Sequence, residues 1–283
     1  MRSLWQPIAQ IALVLLTAGI IAAQPSTTTF TLTGPTSYWP NLAGVVTSPY
    51  YGTVYTNGPT VPVICDDFAD DSFIPEQWNA YVTSLSDLLA GTWGTPDSYL
   101  KWGGQTNSVT GSDGLGDSWS LTQDQAYEAA AVLAIGILQN SSILAVQQEY
   151  SFALWELFDS NSSGGAFAQL ANNGDSSYEG PSAYLLMAAV NDAKNNVGPS
   201  GGSLSNYLGN YNVTIYSYED PKYGGMTPKC GSNLNQTCSS LPPQEFITVS
   251  MAEPFSPALL SLDLLGVVGV VLFARRRSVL RRA

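Results

Sequence analysis

LTQDQAYEAAAVLAIGILQ, residues Leu121–Gln139, carries the first clear signal of a fold in this chain. Thr122 stands three residues before Gln125, the spacing of a capping box, in which the Thr hydroxyl accepts from the first-turn backbone and the Gln side chain reaches back. An Ala-rich apolar run follows, so the stretch predicts a helix. Ser142–Phe158 places Leu144, Gln148, Phe152 and Trp155 at helical spacing and stops at Asn161-Ser162-Ser163-Gly164-Gly165. A third helix is expected over Pro181–Asn195, where Pro181 suits a first turn.

Away from this helical middle the period changes. Thr27 to about Val63 alternates β-branched and aromatic residues with turn formers, as in Tyr50-Tyr51-Gly52-Thr53-Val54-Tyr55 before Asn57-Gly58, and predicts strands and a hairpin. Residues 75–90 suggest a short helix, and the Gly-rich 91–120 a long surface loop. Beyond the Gly-rich 198–203, Tyr211–Tyr218 and Glu245–Met251 alternate as strands. No repeat period emerges. The fold class that follows is α+β, one exported domain over 24–252 with antiparallel β-strands flanking a helical middle.

The two ends give the address. Arg2 precedes an apolar run from Ile8 to Ala22 and the small-residue exit Ile21-Ala22-Ala23-Gln24, the layout of a signal peptide over 1–23. At the other end, 255–274 is apolar except for Asp263 and long enough to cross a membrane as a transmembrane helix. It is preceded by Glu253-Pro254 and followed by Arg275, Arg276 and Arg277. The positive-inside rule puts that Arg cluster in the cytoplasm and 24–252 outside it. This tail resembles the PEP-CTERM sorting signal of Gram-negative bacteria, with Ala252 in place of the first Pro. The resemblance implies processing by an exosortase and delivery to the cell envelope or surface. A plain membrane anchor is the simpler reading of the same residues.

Charge narrows the partners. All six Arg lie in the terminal segments, which leaves Lys101, Lys194, Lys222 and Lys229 against twenty acidic residues in the exported part. Nucleic acid is excluded as a partner for such a surface, because phosphate binding depends on basic neutralisation. The chain has no His, which rules out Ser-His-Asp and Cys-His catalysis and His-ligated zinc. No turnover-enzyme signature remains. Cys230 and Cys238 bracket the loop Gly231–Thr237 and suit a local disulfide in an oxidising compartment, although three pairings are open and each leaves one Cys over. The odd one is expected to be Cys65, in Val63-Ile64-Cys65-Asp66-Asp67-Phe68, where a buried inert thiol is the plain reading.

Three short motifs point further. Ile64-Cys65-Asp66, then Ala153 and Trp155 within Tyr150-Ser151-Phe152-Ala153-Leu154-Trp155, then Gln244-Glu245-Phe246-Ile247 follow one another in order. Together they resemble the thioester (TQXA) domain of bacterial surface adhesins, with Ile64 in place of the usual aromatic or Leu and Ser151 where the helix motif has Gln. The resemblance implies that Cys65 and Gln244 condense, with loss of ammonia, into an internal thioester that couples once to an amine on a partner. An acyl donor of this kind survives only where water is kept out, and Val63, Ile64 and Phe68 supply an apolar lining.

Other constellations are weaker. Asp66, Asp67, Asp70 and Asp71 could offer oxygens to Ca²⁺, but the EF-hand spacing is missing and no cofactor is required. Nothing selects a glycosidase pair among the acids. Trp78, Trp93, Trp102 and Trp119 flank the Gly-rich loop, where they could stack on sugar rings or pack beneath it. Two functions remain in view. One is a surface adhesion or binding protein, engaging a cell-surface or matrix polysaccharide or protein. The other is a non-catalytic structural protein of the envelope or extracellular matrix.

Overall fold

The computed structural model describes residues 26–34, 40–68, 70, 72–91, 99–102, 108–160, 165–238 and 242–252. The segments expected to be a signal peptide (1–23) and a sorting tail, with Glu253, Pro254, the 255–274 run, Arg275, Arg276 and Arg277, lie outside the described residues. No helix among the described residues is long and apolar enough to cross a membrane. The fold belongs to the unit that ends at Ser250; of the second unit, Met251–Ala283, only the first two residues are described.

The described residues begin with β1 (Ser26–Leu32), a small hairpin of β2 (Asn41–Leu42) and β3 (Val45–Val46), then β4 (Tyr50–Thr53) and β5 (Thr60–Cys65). The strand β6 (Glu76–Ser84) runs directly into the short helix α1 (Leu85–Leu89). A second hairpin, β7 (Val109–Ser112) and β8 (Ser118–Leu121), leads to the helical middle. That layer holds α2 (Gln123–Gln139), α3 (Leu144–Asp159), α4 (Ala166–Asn172), α5 (Glu179–Asn195) and the one-turn α6 (Leu204–Leu208). Strand β9 (Tyr211–Tyr218), the hairpin β10 (Lys229–Cys230) and β11 (Gln236–Thr237), and β12 (Phe246–Met251) complete it.

Strands and helices therefore fall where an α+β chain puts them, but the sheet does more than flank the helices. Its order is β1-β4-β5-β12-β9-β6, and β6 pairs back onto β1, with Ser26–Leu32 opposite Val82–Glu76. The ring of six strands is closed, and the β10–β11 hairpin branches from it at β6. Strand period two sorts the side chains. Phe30, Leu32, Tyr50, Val63, Cys65, Trp78, Ala80, Tyr216 and Phe246 fill the inside. Ile64, Ile247, Val213 and Ile215 point outward into the larger core shared with the helices.

Two sequence expectations are corrected here. The short helix expected over 75–90 shrinks to α1, because Glu76–Ser84 is held as a strand between β1 on one edge and β9 on the other. The long loop expected over 91–120 contains the hairpin β7–β8, which buries Trp119 and Leu121. Two other tryptophans also pack inward: Trp78 fills the barrel and Trp102 stacks on Phe158 at 5.1 Å. Trp93 lies outside the described residues.

In the helical layer α2 is capped as its sequence implies, with the Gln125 N–H donating to Thr122 and the Thr122 N–H to the Gln125 side chain. Gly136 lets α3 approach closely, since a Cβ there would lie 2.3 Å from the Tyr150 ring. The β2–β3 turn has positive φ at both Ala43 and Gly44, a type I′ geometry that Ala does not favour. Side chains of the helical layer hold it: Gln148 of α3 donates to the Asn41 carbonyl, Gln169 of α4 donates to the Ala43 carbonyl, and Asp175, in the connection after α4, accepts from the Ala43 N–H.

Candidate functional site

Cys65 and Gln244 meet because β5 and β12 are antiparallel neighbours in a defined register. Phe246 lies opposite Cys65 and Ile247 opposite Ile64, and the ladder continues with the Asp66 N–H donating to the Glu245 carbonyl. Extended by one more residue, it sets Gln244 opposite Asp67. Side chains alternate across the ladder, so Cys65 and Gln244 share one face as diagonal neighbours, within reach of a long side chain. Asp66 and Glu245 share the other face, toward the helices.

The atoms agree with this placement. The Cys65 thiol donates to the Asp67 carbonyl at 2.9 Å, and Gln244 Nε2 donates to the same oxygen at 2.9 Å. Nε2 also donates to the Asp70 carbonyl, and the Ser72 hydroxyl donates to Gln244 Oε1 at 2.7 Å. The amide is thus gripped at both ends, with its carbonyl polarised by one hydroxyl. Cys65 itself is fully buried. Its N–H donates to Ser48 Oγ, and the Trp155 indole N–H donates to its carbonyl at 3.0 Å. A second strap from α3 is Asp159, which accepts from the Phe68 N–H at 3.1 Å, and the Phe68 ring packs on Trp155.

Of the helix-motif residues, Trp155 therefore touches the site and Ala153 is a buried packing position behind it. Ser151 does not reach the site. It is fully buried, and its hydroxyl donates back to the Gln147 carbonyl of its own helix. Cys230 and Cys238 are joined in a disulfide, as β10 and the end of β11 bring them together, and this bridge forms no part of the site. The acidic cluster does not converge on a cation position. Asp66 turns to the helix side, while Asp67 and Asp70 both pair with the Lys101 ammonium, which also sits 4.6 Å above the Trp102 ring. Asp71 lies outside the described residues. Among the described residues the one cluster spaced for a metal is Glu76 with Cys230 and Cys238, whose sulfurs are already bonded to each other.

A cleft of about 380 Å³ opens onto the site. Its walls are the β2–β3 hairpin at Gly44–Val46, Phe68, Ile74 and Trp155, and Gln244 lies on its floor beside Asp67, Asp70 and Ser72. Gln244 is half-buried and meets the cleft, whereas Cys65 stays behind it in the barrel wall. Burial pushes the Cys65 thiol well above its ordinary range, and the nearby Asp67 and Asp66 carboxyls raise it further. The sulfur is therefore kept protonated and hidden, unlike an activated catalytic thiolate.

Sequence reasoning missed Ser72, the Asp67 carbonyl, Ser48 and Lys101. Each reaches the site through loop geometry for which short motifs carry no signal.

Burial raises the carboxyls of Asp67, Glu76 and Glu156 to about 7, opposed by Lys101 at Asp67 and by backbone N–H groups at the other two. Unfolded, these groups ionise at ordinary carboxylate values, so between about pH 4 and about pH 7 the folded protein holds more protons than the unfolded chain. Stability is then greatest at the acid end of this window and declines as pH rises through it. Thermal scans are expected to give a higher melting temperature at about pH 5 than at about pH 8. A profile that rises with pH would contradict neutral buried carboxyls.

No family model matches the sequence, and no curated protein does. Among solved structures, the chain is similar to the N-terminal thioester domain of protein F2 like fibronectin-binding protein from Streptococcus pneumoniae, at 12% identity and a TM-score of 0.42. The likeness covers 79% of this chain and 94% of that one. At that level it carries no argument.

Proposed function

We propose that this chain is an exported, surface-displayed binding protein that closes an internal thioester between Cys65 and Gln244 and uses it to couple to an amine on its partner. The observation that carries the reading is the convergence of the Cys65 thiol and the Gln244 amide on one carbonyl, that of Asp67, each at 2.9 Å. In the closing step a bond forms between Cys65 Sγ and Gln244 Cδ and the Cδ–Nε2 bond breaks. The thiol proton leaves with the nitrogen as ammonia. In the coupling step an amine entering by the cleft attacks Cδ, the C–S bond breaks, and the proton returns to sulfur. Each molecule reacts once, since nothing restores the amide.

The half-buried Gln244 on the cleft floor supports attack from outside, and the buried Cys65 supports protection from water. The sorting tail, Glu253-Pro254 through Arg275–Arg277, supports display at the cell envelope after exosortase processing, with a surface or matrix protein or polysaccharide as partner.

Intact-mass spectrometry tests the reading. The purified protein is expected to weigh one ammonia less than its sequence, and Cys65→Ala to restore the full mass. Methylamine should add to the wild type and not to the variant. A full-mass wild type that ignores methylamine would instead support a structural envelope or matrix protein with a spectator thiol.

A further inference from the structure

Immediately beside the two reacting residues, on the opposite face of the same ladder, stand Asp66 and Glu245. Both are buried, at 0% and 1% exposure. Glu245 is richly served: Tyr127 donates its hydroxyl to Oε1 at 2.6 Å, the Lys101 backbone N–H donates to Oε2 at 3.0 Å, and the Ser217 hydroxyl donates to Oε2 as well. Asp66 is not served. Neither of its carboxyl oxygens meets a donor, and what it faces is the Glu245 carboxyl. A bare carboxylate in that position would be buried, unpaired and set against a second carboxyl group, which is prohibitive. A neutral Asp66 resolves the conflict, because its O–H can donate to Glu245. The groups that face it agree: Glu245 and Asp67 oppose ionisation, the Lys101 ammonium is too weak a counterweight, and the neighbouring Tyr127 and Cys65 are themselves held neutral.

The placement gives this proton a consequence. Asp66 follows Cys65 and Glu245 follows Gln244, so a bond between Asp66 and Glu245 ties together the two strand ends that must approach for Sγ to reach Cδ. Through Glu245 the tie extends to α2 at Tyr127, to β9 at Ser217 and to the backbone at Lys101. We propose that Asp66 and Glu245 share one proton and by it clasp the ends of β5 and β12, acting as the positioning pair for closure of the Cys65–Gln244 thioester. The inference rests on the thioester reading. Neither residue touches the reacting atoms; they hold the two backbones that carry them.

Two variants and one spectrum test it. Asp66→Asn keeps a neutral group of the same shape that can donate an amide N–H to Glu245. Asp66→Leu keeps the volume and removes the donor. Closure is followed as loss of ammonia by intact mass from freshly refolded protein, with circular dichroism and melting temperature recorded for each variant. Asp66→Asn is expected to close at close to the wild-type rate, and Asp66→Leu, folded, at least about tenfold more slowly, the size of effect that one hydrogen bond to a charged group can have. The infrared difference spectrum of wild type minus Asp66→Asn at about pH 9, above the range in which Asp67, Glu76 and Glu156 release their protons, should carry the C=O band of a protonated carboxylic acid. A folded Asp66→Leu that closes as fast as wild type, or an Asp66→Asn that fails to close, overturns the positioning role. Should the wild type lose no ammonia at all, it is the thioester that falls. The infrared band then decides the shared proton separately: its presence upholds the clasp between strands, and its absence from the wild type overturns it.

Discussion

Gln244→Ala is expected to abolish amine coupling completely while the protein stays folded. In the proposed thioester the acyl carbon is Gln244 Cδ, whose amide donates to the Asp67 carbonyl beside the Cys65 thiol. Removing it leaves Cys65 fully buried with nothing to condense with. The stability cost should stay within about 3 kcal/mol, the sum of three hydrogen bonds worth about 1 kcal/mol net each, because Gln244 is half-buried just before β12 and its partners Asp67, Asp70 and Ser72 line a cleft open to water. Methylamine incubation followed by intact mass reads the result. A Gln244→Ala protein that still takes up the amine would place the acyl group elsewhere and end the case for this pair. Gln244→Glu sharpens the comparison. It keeps the carbonyl but offers oxygen in place of nitrogen as leaving group, and it sets a carboxylate against the carbonyls of Asp67 and Asp70, so it too should be inert.

The largest loss of stability is expected from Trp78→Ala, about 3–5 kcal/mol. Trp78 is fully buried inside the barrel, with ring centroids 4.7 Å from Phe30 and 5.9 Å from Phe246. Phe246 in turn lies opposite Cys65, so a cavity at Trp78 opens beneath the site as well as within the core. A closed barrel collapses poorly around a void, since every wall strand is pinned on both edges, and the cavity contribution should be felt nearly in full. Trp78→Phe should cost much less, because it keeps an aromatic ring and removes an indole N–H that has no partner. Urea denaturation of the three proteins checks the order. A Trp78→Ala loss below about 1 kcal/mol would mean that the interior is not packed around this ring.

How much of this was open to a reader of the chain depends on the distance over which each feature is encoded. The start of α2 was legible because Thr122 and Gln125 cap it within one turn. β9 was legible because Tyr211–Tyr218 alternates along its whole length. Glu76–Ser84 misled, since its alternation is interrupted and a true helix, α1, adjoins it; the strand exists because β1 and β9 flank it. The β7–β8 hairpin was hidden by its glycines. At the site, Cys65, Gln244 and Trp155 stood out by motif and do come together. Ser72, Tyr127, Lys101 and Ser217 did not, because a Ser or Tyr in an ordinary segment carries no mark of the carboxyl or amide it will meet.

The amino-acid sequence by itself determined the local features: the cap of α2, the period of β9, the exclusion of His chemistry, an odd cysteine and an acidic balance of charge between the terminal segments. Each rests on residues a few positions apart or on composition alone. Only the tertiary structure decided that the sheet closes on itself, that Cys65 faces inward with Gln244 diagonal to it, and that Asp66 and Glu245 are pressed together on the other face. The physical reason is register. Shifting one strand by a single residue would exchange the two faces. That choice is made by contacts between β5 and β12, which lie far apart in sequence, and by the helix side chains that hold their ends.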